Sequence, residues 1–277
     1  MTTYKKRKII DKTMCSIAFL CAFLTLVPLI SIFGYVISKG ITSINLDFFI
    51  HLPRPVGEPG GGMSNAIAGS FILIGLSCLW AVPVGILGGV FLSEFGNNKI
   101  GATVRFIVDV LNGVPSIVIG IFAYTLFVLP MKSFSAISGA FALGVIMIPT
   151  IMRTSEEMLR MVPGTLREAA LALGISQFRT TISIVLKTAL PGVVTGILLA
   201  VARIAGETAP LLFTAFGNRF WHQNLNQPIA ALPLQIFAYA ISPFDDWHRQ
   251  AWAGAFVLIV MVFLISLISR FALRRKI

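Results

Sequence analysis

Long apolar runs fill most of the chain, and short polar segments separate them. A helix that crosses the hydrocarbon core of a bilayer needs about 20 mostly apolar residues. Six segments meet this requirement, at residues 14–37, 66–92, 105–130, 136–152, 189–214 and 251–271. The pattern therefore predicts an all-α, polytopic membrane protein with six transmembrane helices.

The first and fourth runs need separate interpretation. The basic cluster at residues 5–8, followed by an apolar run, has the order of a secretory signal peptide, but the run has spanning length and no A-x-A site before Lys39. We therefore expect a retained first helix. The fourth run is short and contains Gly139, Gly144 and Pro149. We expect it to be broken or tilted, in a place where protein rather than lipid surrounds it.

Composition agrees with a membrane environment and excludes other classes. Hydrophobic residues make up 56% of the 277 residues and charged residues 12%, with a mean hydropathy of +0.88, whereas about 25% of a soluble domain is charged. The net charge of +11 does not indicate nucleic-acid binding, because the basic residues stand at the ends of apolar runs. Cys15, Cys21 and Cys78 lie inside apolar runs without paired spacing, so we expect neither a disulfide framework nor a metal site.

Lysine and arginine are distributed unequally between the two sides of the predicted helices. Cytoplasmic flanks of membrane proteins are enriched in these residues. If the N-terminus is inside, the outer loops hold only Lys39, Arg54, Lys132, Arg219 and Arg249, and all the others except one mid-helix arginine fall on the inner side. We therefore expect both termini in the cytoplasm, with outer loops at residues 51–62 and 218–252.

Residues 153–188, between the fourth and fifth runs, form a charged segment with an amphipathic pattern. Apolar residues from Met158 to Leu173 recur at helical intervals among charged ones. The sequence Pro163-Gly164-Thr165 predicts a helix start with Glu168 in the first turn, and Gly174 should end that helix. We expect two short helices set at an angle.

Two interpretations of this segment are open. Its helices could lie in the headgroup plane as an ordinary surface loop, but the polar face of such helices is mostly lysine and arginine. Glu156, Glu157 and Glu168 are mixed into this face. Their presence favours a protein partner.

The residues of this segment follow a fixed order: Glu168-Ala169-Ala170, three residues, Gly174, nine residues and then 184–186 (Ile-Val-Leu). This order resembles the EAA loop of ABC importer permeases. In that family the loop docks the membrane subunit into a cleft of an ATPase partner. The usual pattern ends in Leu-Pro, whereas Lys187 follows here. The chain has no G-x-x-x-x-G-K-[ST] motif. We therefore expect no enzyme activity and no cofactor in this chain, with ATP and Mg bound by the partner.

Arg203 and Glu207 are ionisable residues in the middle of the fifth run. At 1.5 Å per residue, Arg203 lies roughly 18 Å from Pro191, about the middle of a hydrocarbon core of about 30 Å. Glu207 follows at i+4 on the same helix face. The two could form a structural ion pair or belong to a substrate pathway. The surrounding small residues permit either close helix contact or a narrow path, and Pro210 should interrupt the helix after Glu207. Both features favour the pathway, in which Arg203 can bind a tetrahedral oxyanion by bidentate hydrogen bonds while Glu207 competes.

The sequence Gly113-Val114-Pro115-Ser116 in the third run is a candidate helix break. A restarted helix would aim its N–H groups and the Ser116 hydroxyl at an anion, although a tolerated proline kink explains the sequence equally well. We also expect Asp109 to pair with Arg105 one turn earlier, and Glu94 to be interfacial.

Two segments of the chain are further distinctive: 113–120, and 202–214 with the sequence Ala-Arg-Ile-Ala-Gly-Glu-Thr-Ala-Pro-Leu-Leu-Phe-Thr. Both closely resemble A-type permeases of phosphate-specific ABC importers. The resemblance extends from about Ser64 to the C-terminus. It implies a type I ABC importer permease (MetI-like) fold in a bacterial inner membrane. Residues 64–277 would form the five-helix core, and residues 1–63 the cytoplasmic N-terminus, first helix and outer loop. The implied partners are a homologous C-type permease, an ATPase dimer, an extracytoplasmic phosphate-binding protein and lipid, with no nucleic acid.

Three alternatives stay open. The substrate could be another oxyanion, sulfate or molybdate, because one mid-membrane arginine does not distinguish among tetrahedral anions. The chain could be a secondary carrier without an ATPase, although the loop at residues 153–188 argues against this. An intramembrane enzyme would need clustered catalytic groups at membrane depth, whereas His51, His222 and His248 all fall in predicted outer loops.

Overall fold

The computed structural model describes residues 3–55, 58 and 60–274, and α-helices dominate them. The helices are α1 (Thr3–Ser43), α2 (Leu46–Ile50), α3 (Ser64–Glu94), α4 (Lys99–Gly113), α5 (Ser116–Ala123), α6 (Leu129–Met131), α7 (Ala136–Arg160), α8 (Gly164–Ala172), α9 (Gln177–Thr180), α10 (Leu186–Ala205), α11 (Ala209–Thr214), α12 (Leu232–Ala240) and α13 (Asp245–Arg274). Two π-helical turns, Tyr124–Val128 and Thr181–Val185, join α5 to α6 and α9 to α10.

Five helices of the described residues are long and apolar enough to cross a membrane, and a bent pair can supply a sixth span. The bent pair is Lys99–Gly113 with Ser116–Met131, whose axes differ in direction by 103°. The prediction of six spans is therefore confirmed if this pair counts as one. Of the two alternatives for Val114 and Pro115, a helix break or a tolerated proline kink, the structure shows the break. Pro115 has no N–H group for an α-helical hydrogen bond, and it biases the preceding residue toward the extended backbone that Val114 adopts (ψ 130°).

Helix α7 lies at the centre of the molecule and packs against α3, α10, α11, α4 and α5. In its most apolar stretch of 18 residues, 67% of positions are buried, against 0% in α1. The expectation that protein surrounds this segment is confirmed, and of the two alternatives, broken or tilted, the break does not occur. The helix continues through Pro149 to Arg160.

The surroundings of the glycines in α7 explain why these residues do not break the helix. A Cβ atom at Gly144 would collide with the indole of Trp80, and one at Gly139 would lie 3.0 Å from Leu73. Both glycines thus allow α3 to approach α7 closely. The burial of α7 by this close packing stabilises α7 as a helix.

The predicted outer loop at residues 218–252 is more ordered than the sequence indicated. It contains α12 and the start of α13, and the residues just before α12 are inserted into the core. Ile229 and Leu232 are almost fully buried, and the Leu232 N–H donates to Ser70 Oγ at 2.8 Å. Asn65 Nδ2 donates to the Asn218 carbonyl at 2.6 Å. These bonds join the segment to α3, so it is part of the helical core.

Helix α1 packs against α13 over its C-terminal part. Gly40 lies under the side chain of Phe256, and Tyr35 meets Trp252 edge to face with ring centroids 5.0 Å apart. Most apolar side chains of α1 are exposed on the surface of this chain. Such a surface needs lipid or another membrane subunit around it.

Candidate functional site

Arg203 lies in the last turn of a helix, and Glu207 lies in the helix break that follows it. Helix α10 ends at Ala205, residues 206–208 are not helical, and α11 begins at Ala209. Pro210 has no N–H to donate to Gly206 four residues earlier, and it stands in the first turn of α11, where a missing N–H is tolerated. The prediction that the helix over residues 189–214 is interrupted only after Glu207 was therefore wrong, because the interruption begins at Gly206 and includes Glu207.

The pair is nevertheless close in space. Arg203 Nε lies 3.9 Å from Glu207 Oε1, with the arginine side chain 41% exposed and the glutamate 18%. This distance allows an ion pair but is too long for a hydrogen bond. Among the described residues, Arg203 has this ion pair and no hydrogen bond, so its donors are available to a ligand.

Helix α5 packs on the same break. Gly120 lies against the backbone of Pro210, so closely that a Cβ there would come within 2.6 Å of the Pro210 Cα. Ser116 starts α5, is half-buried, and follows Pro115, which gives the helix no side-chain cap. In the described part of the chain no hydrogen bond or ion pair joins Ser116 to Arg203 or Glu207. The structure packs α5 against α11, next to the break, but does not bring these side chains together.

The small residues of α10 contribute helix contact. A Cβ at Gly192 would collide with Met158, and one at Gly196 with Thr154, both on α7. Of the two roles that the sequence left open for these residues, the structure shows close packing between α10 and α7.

The segment at residues 153–188 contains one separate short helix before α9, instead of two. Residues 153–160 are the last two turns of α7, because the first helix breaker after them is Pro163. Helix α8 begins at Gly164 as predicted, but Glu168 lies beyond its first turn, which contains no acidic residue. The predicted end is confirmed, since α8 stops at Ala172 and Gly174 has a φ of +76°.

Helix α8 and the residues around it carry exposed apolar side chains. Met161, Leu173 and Phe178 are 73%, 80% and 71% exposed. Of the four predicted contact residues, Glu168, Ala169 and Gly174 are exposed and Ala170 is buried. We call Met161, Leu171, Leu173 and Phe178 the apolar patch. Such a patch in a charged loop is typical of a protein interface, and the contributions of Met161 and Phe178 were missed from the sequence.

The chain leaves this loop without a turn at Lys187. Residues Gln177–Ala205 form one long helix through the π-helical turn Thr181–Val185, and Pro191 lies inside it. Lys187 therefore lies inside a continuous helix, in the first turn of α10. π-helical turns of this kind frequently occur at functional positions.

The amphipathic sequence pattern placed Glu156 on the polar face of the loop, but the structure buries this carboxylate at the C-terminal end of α7. Glu156 is 2% exposed and accepts from Arg105 Nε of α4 at 2.7 Å, while Arg160 Nη2 lies 2.8 Å from the same oxygen. Arg105 also donates to the carbonyls of Leu92 and Gly96 at the end of α3. The predicted Arg105–Asp109 pair was wrong, because Asp109 is exposed and Arg105 points to α3 and α7.

A second ion pair joins α8 to α3. Arg167 Nη2 donates to Glu94 Oε1 at 2.8 Å and to the Leu159 carbonyl at 2.9 Å, and Nη1 donates to the Val162 carbonyl at 3.3 Å. The Glu94 side chain is only 8% exposed. Sequence spacing could not reveal this pair, since its members are 73 residues apart. Among the described residues no cluster of side chains could hold a metal ion.

The fold and the broken spans define a polytopic membrane permease, and comparisons with known proteins agree. Residues 81–276 match the family of binding-protein-dependent transport system inner membrane components, and the chain belongs to this family. Two structures have a similar fold. A chain of a bacterial alginate ABC transporter has a TM-score of 0.69 and 13% identity, covering 99% of this chain and 98% of that one. A chain of the MetNI methionine ABC transporter has a TM-score of 0.60 and 20% identity, covering 76% and 92%.

The curated relatives are similar over almost their whole length. The phosphate transport system permease protein PstA of Xylella fastidiosa (strain 9a5c) is 49% identical over 275 residues, which are 99% of this chain and 96% of the relative. The protein of the same name from Haemophilus influenzae is 42% identical over 98% of this chain and 96% of its own. A probable PstA from Methanocaldococcus jannaschii is 34% identical over 97% and 95%.

Proposed function

We propose that this chain is the membrane-spanning permease subunit of an ATP-driven importer of inorganic phosphate. The observation that carries the proposal is the loosely paired Arg203 at the break between α10 and α11, in a chain 42–49% identical to permeases named for phosphate transport. An arginine with free donors is the side chain best suited to a tetrahedral oxyanion.

Arg203 would bind phosphate during its passage, and Glu207 would release it. With no anion present, the carboxylate neutralises the guanidinium across 3.9 Å. An entering phosphate competes for Arg203 and displaces Glu207, and the return of the carboxylate promotes departure of the anion. The close contact of Gly120 with Pro210 positions α5, and Ser116 at its start would contribute a hydroxyl to the pathway.

The energy would come from ATP hydrolysed by a partner. The chain has no phosphate-binding loop for ATP, so ATP and Mg would be bound by an ATPase dimer. Helix α8 would dock into this partner through Glu168, Ala169, the apolar patch and the turn at Gly174. Ala170 is buried on the opposite face of α8, where it supports the helix.

The complete importer would contain two further kinds of subunit. A homologous second permease would cover exposed apolar surface of this chain and complete the pathway, and an extracytoplasmic binding protein would deliver phosphate. The bias of lysine and arginine supports an orientation with both termini and α8 in the cytoplasm. Residues 1–63 would then act as a peripheral part and residues 64–277 as the permease core.

Uptake of radiolabelled phosphate into proteoliposomes that contain the four-part complex tests the proposal. We expect uptake that requires ATP, the binding protein and this chain. Uptake of sulfate or molybdate in place of phosphate would favour the alternative oxyanion permease. Transport by the purified chain alone, driven by an ion gradient, would favour a secondary carrier.

A further inference from the structure

The C-terminal end of α3 is held by arginines from two other elements. Arg167 of α8 binds the Glu94 carboxylate, and Arg105 of α4 binds the carbonyls of Leu92 and Gly96. The carbonyls at a helix end carry partial negative charge and have no partners inside the helix. Arg105 therefore satisfies carbonyls that the end of α3 leaves open, and Arg167 pairs with the side-chain carboxylate of the last residue of α3.

Arg167 is the side chain that connects α8 with α3. Its guanidinium simultaneously binds Glu94 of α3 and the carbonyls of Leu159 and Val162 at the end of α7. Elsewhere α8 packs mainly against α9 and the turn Thr181–Val185. Without this side chain, α8 would remain connected to α10 through the backbone but would have few contacts with α3.

The pair is well suited to transmit force. Charge-assisted hydrogen bonds of 2.8 Å between groups that are 26% and 8% exposed are stronger and less screened than a surface ion pair. The Arg105–Glu156 bond continues the connection to α4 and α7. Helix α4 leads directly to the break at Val114 and Pro115, after which α5 packs on the break beside Glu207.

We propose that the Arg167–Glu94 pair makes α3 move with α8, so that displacement of α8 by the ATPase reaches the pathway through α3 and α4 as well as through α10. Arg167 and Glu94 are positioning residues in this scheme and do not contact phosphate. The proposal rests on the proposed function, since it assigns to α8 the contact with the ATPase.

A transport measurement tests the consequence. In the reconstituted complex, Glu94→Gln and Arg167→Gln should each keep the ATPase bound and hydrolysing ATP, but should lower the phosphate imported per ATP by about threefold to thirtyfold. The double variant should be no worse than the worse single variant, because the two residues act through one bond. The matched control is Glu157→Gln, whose partner Arg153 at 3.1 Å lies on the same helix, and its ratio should equal that of the wild type. Wild-type ratios in both single variants, or multiplied losses in the double variant, would overturn the proposal.

A distance measurement tests the movement itself and does not require phosphate. Spin labels at Asn97, just after α3, and Thr165, exposed in the first turn of α8 and outside the proposed docking residues, would be introduced into the complex after replacement of Cys15, Cys21 and Cys78 by alanine. With glutamate at position 94, we expect one narrow distance distribution that nucleotide binding leaves unchanged. In the Glu94→Gln variant, we expect a shifted or broadened distribution when ATP is trapped.

The two measurements also separate this proposal from the proposed function. A wild-type distance that changes with ATP as much as in Glu94→Gln would contradict the shared movement. Absence of phosphate uptake in the wild type would contradict only the choice of substrate, because the distance result stands without it. Failure of the wild-type chain to bind an ATPase would overturn both.

Discussion

Arg105 of α4 and Glu156 of α7 form a 2.7 Å ion pair across 51 residues of sequence, at a carboxylate that is 2% exposed. Arg160 shares the same oxygen and Arg153 lies 3.8 Å from the other. One buried carboxylate therefore faces three arginines where α3, α4 and α7 meet, and Glu157 offsets part of this charge through Arg153. Removal of the Glu156 carboxylate would leave Arg105 and Arg160 close together without their shared partner.

We predict that Glu156→Gln destabilises the protein. Removal of one partner from a buried pair is strongly unfavourable, and after allowance for the partly exposed arginines we expect a loss of about 2–4 kcal/mol. The measurement is the free energy of unfolding in detergent. Glu157→Gln, one residue further on the exposed side, should change stability by less than about 1 kcal/mol, and equal effects of the two variants would contradict the central role of Glu156.

We predict that Arg203→Lys lowers phosphate uptake by about tenfold while assembly stays normal. An ammonium keeps the charge but cannot form the bidentate hydrogen bonds of a guanidinium. Glu207→Gln should also alter uptake, because the neutral amide no longer competes with the anion. Initial rates in proteoliposomes measure both effects. Wild-type rates in both variants, with normal assembly, would show that the pair is structural.

We predict that Gly174→Asp leaves the protein in the membrane but abolishes binding of the ATPase. Gly174 has a φ of +76°, which costs a side-chain residue about 1–2 kcal/mol, and the added charge lies beside the apolar patch. Co-purification with the ATPase is the measurement. Gly164→Ala is the control, because Gly164 is helical and has open space around it. Retained co-purification of Gly174→Asp would mean that the loop has another role.

We predict that Gly120→Ala lowers uptake through a shift of α11. The new methyl group would lie 2.6 Å from the Pro210 Cα, and because this neighbour is backbone, α5 and α11 must separate at a cost of about 1–3 kcal/mol. Gly75→Ala is the control, since nothing lies within 4 Å of a Cβ there. Uptake per assembled complex should fall only for Gly120→Ala, and equal rates would exclude α5–α11 packing as a determinant of the site.

The sequence predicts those features of the fold that depend on local chemistry. The apolar runs predict the spans, Pro115 predicts the break in the third span, and Gly174 predicts the end of α8. The break between α10 and α11 was placed too late because Pro210 acts on the residues before it.

Features that depend on tertiary contacts could not be predicted in the same way. Gly144 of α7 serves the packing of Trp80, which no local pattern reveals. Arg105 had an acidic neighbour at i+4, but the buried Glu156 is its partner in the folded chain. The link between Arg167 and Glu94 likewise exists only after α3 and α8 have come together.

The stimulation of ATP hydrolysis by phosphate in the reconstituted four-part complex tests the central claim most directly. We expect the phosphate-loaded binding protein to raise the ATPase rate of the complex with the wild-type chain, and sulfate in place of phosphate to leave it at the basal rate. Equal stimulation by sulfate, or no stimulation by phosphate in a fully assembled complex, would contradict the account of this chain as a phosphate permease.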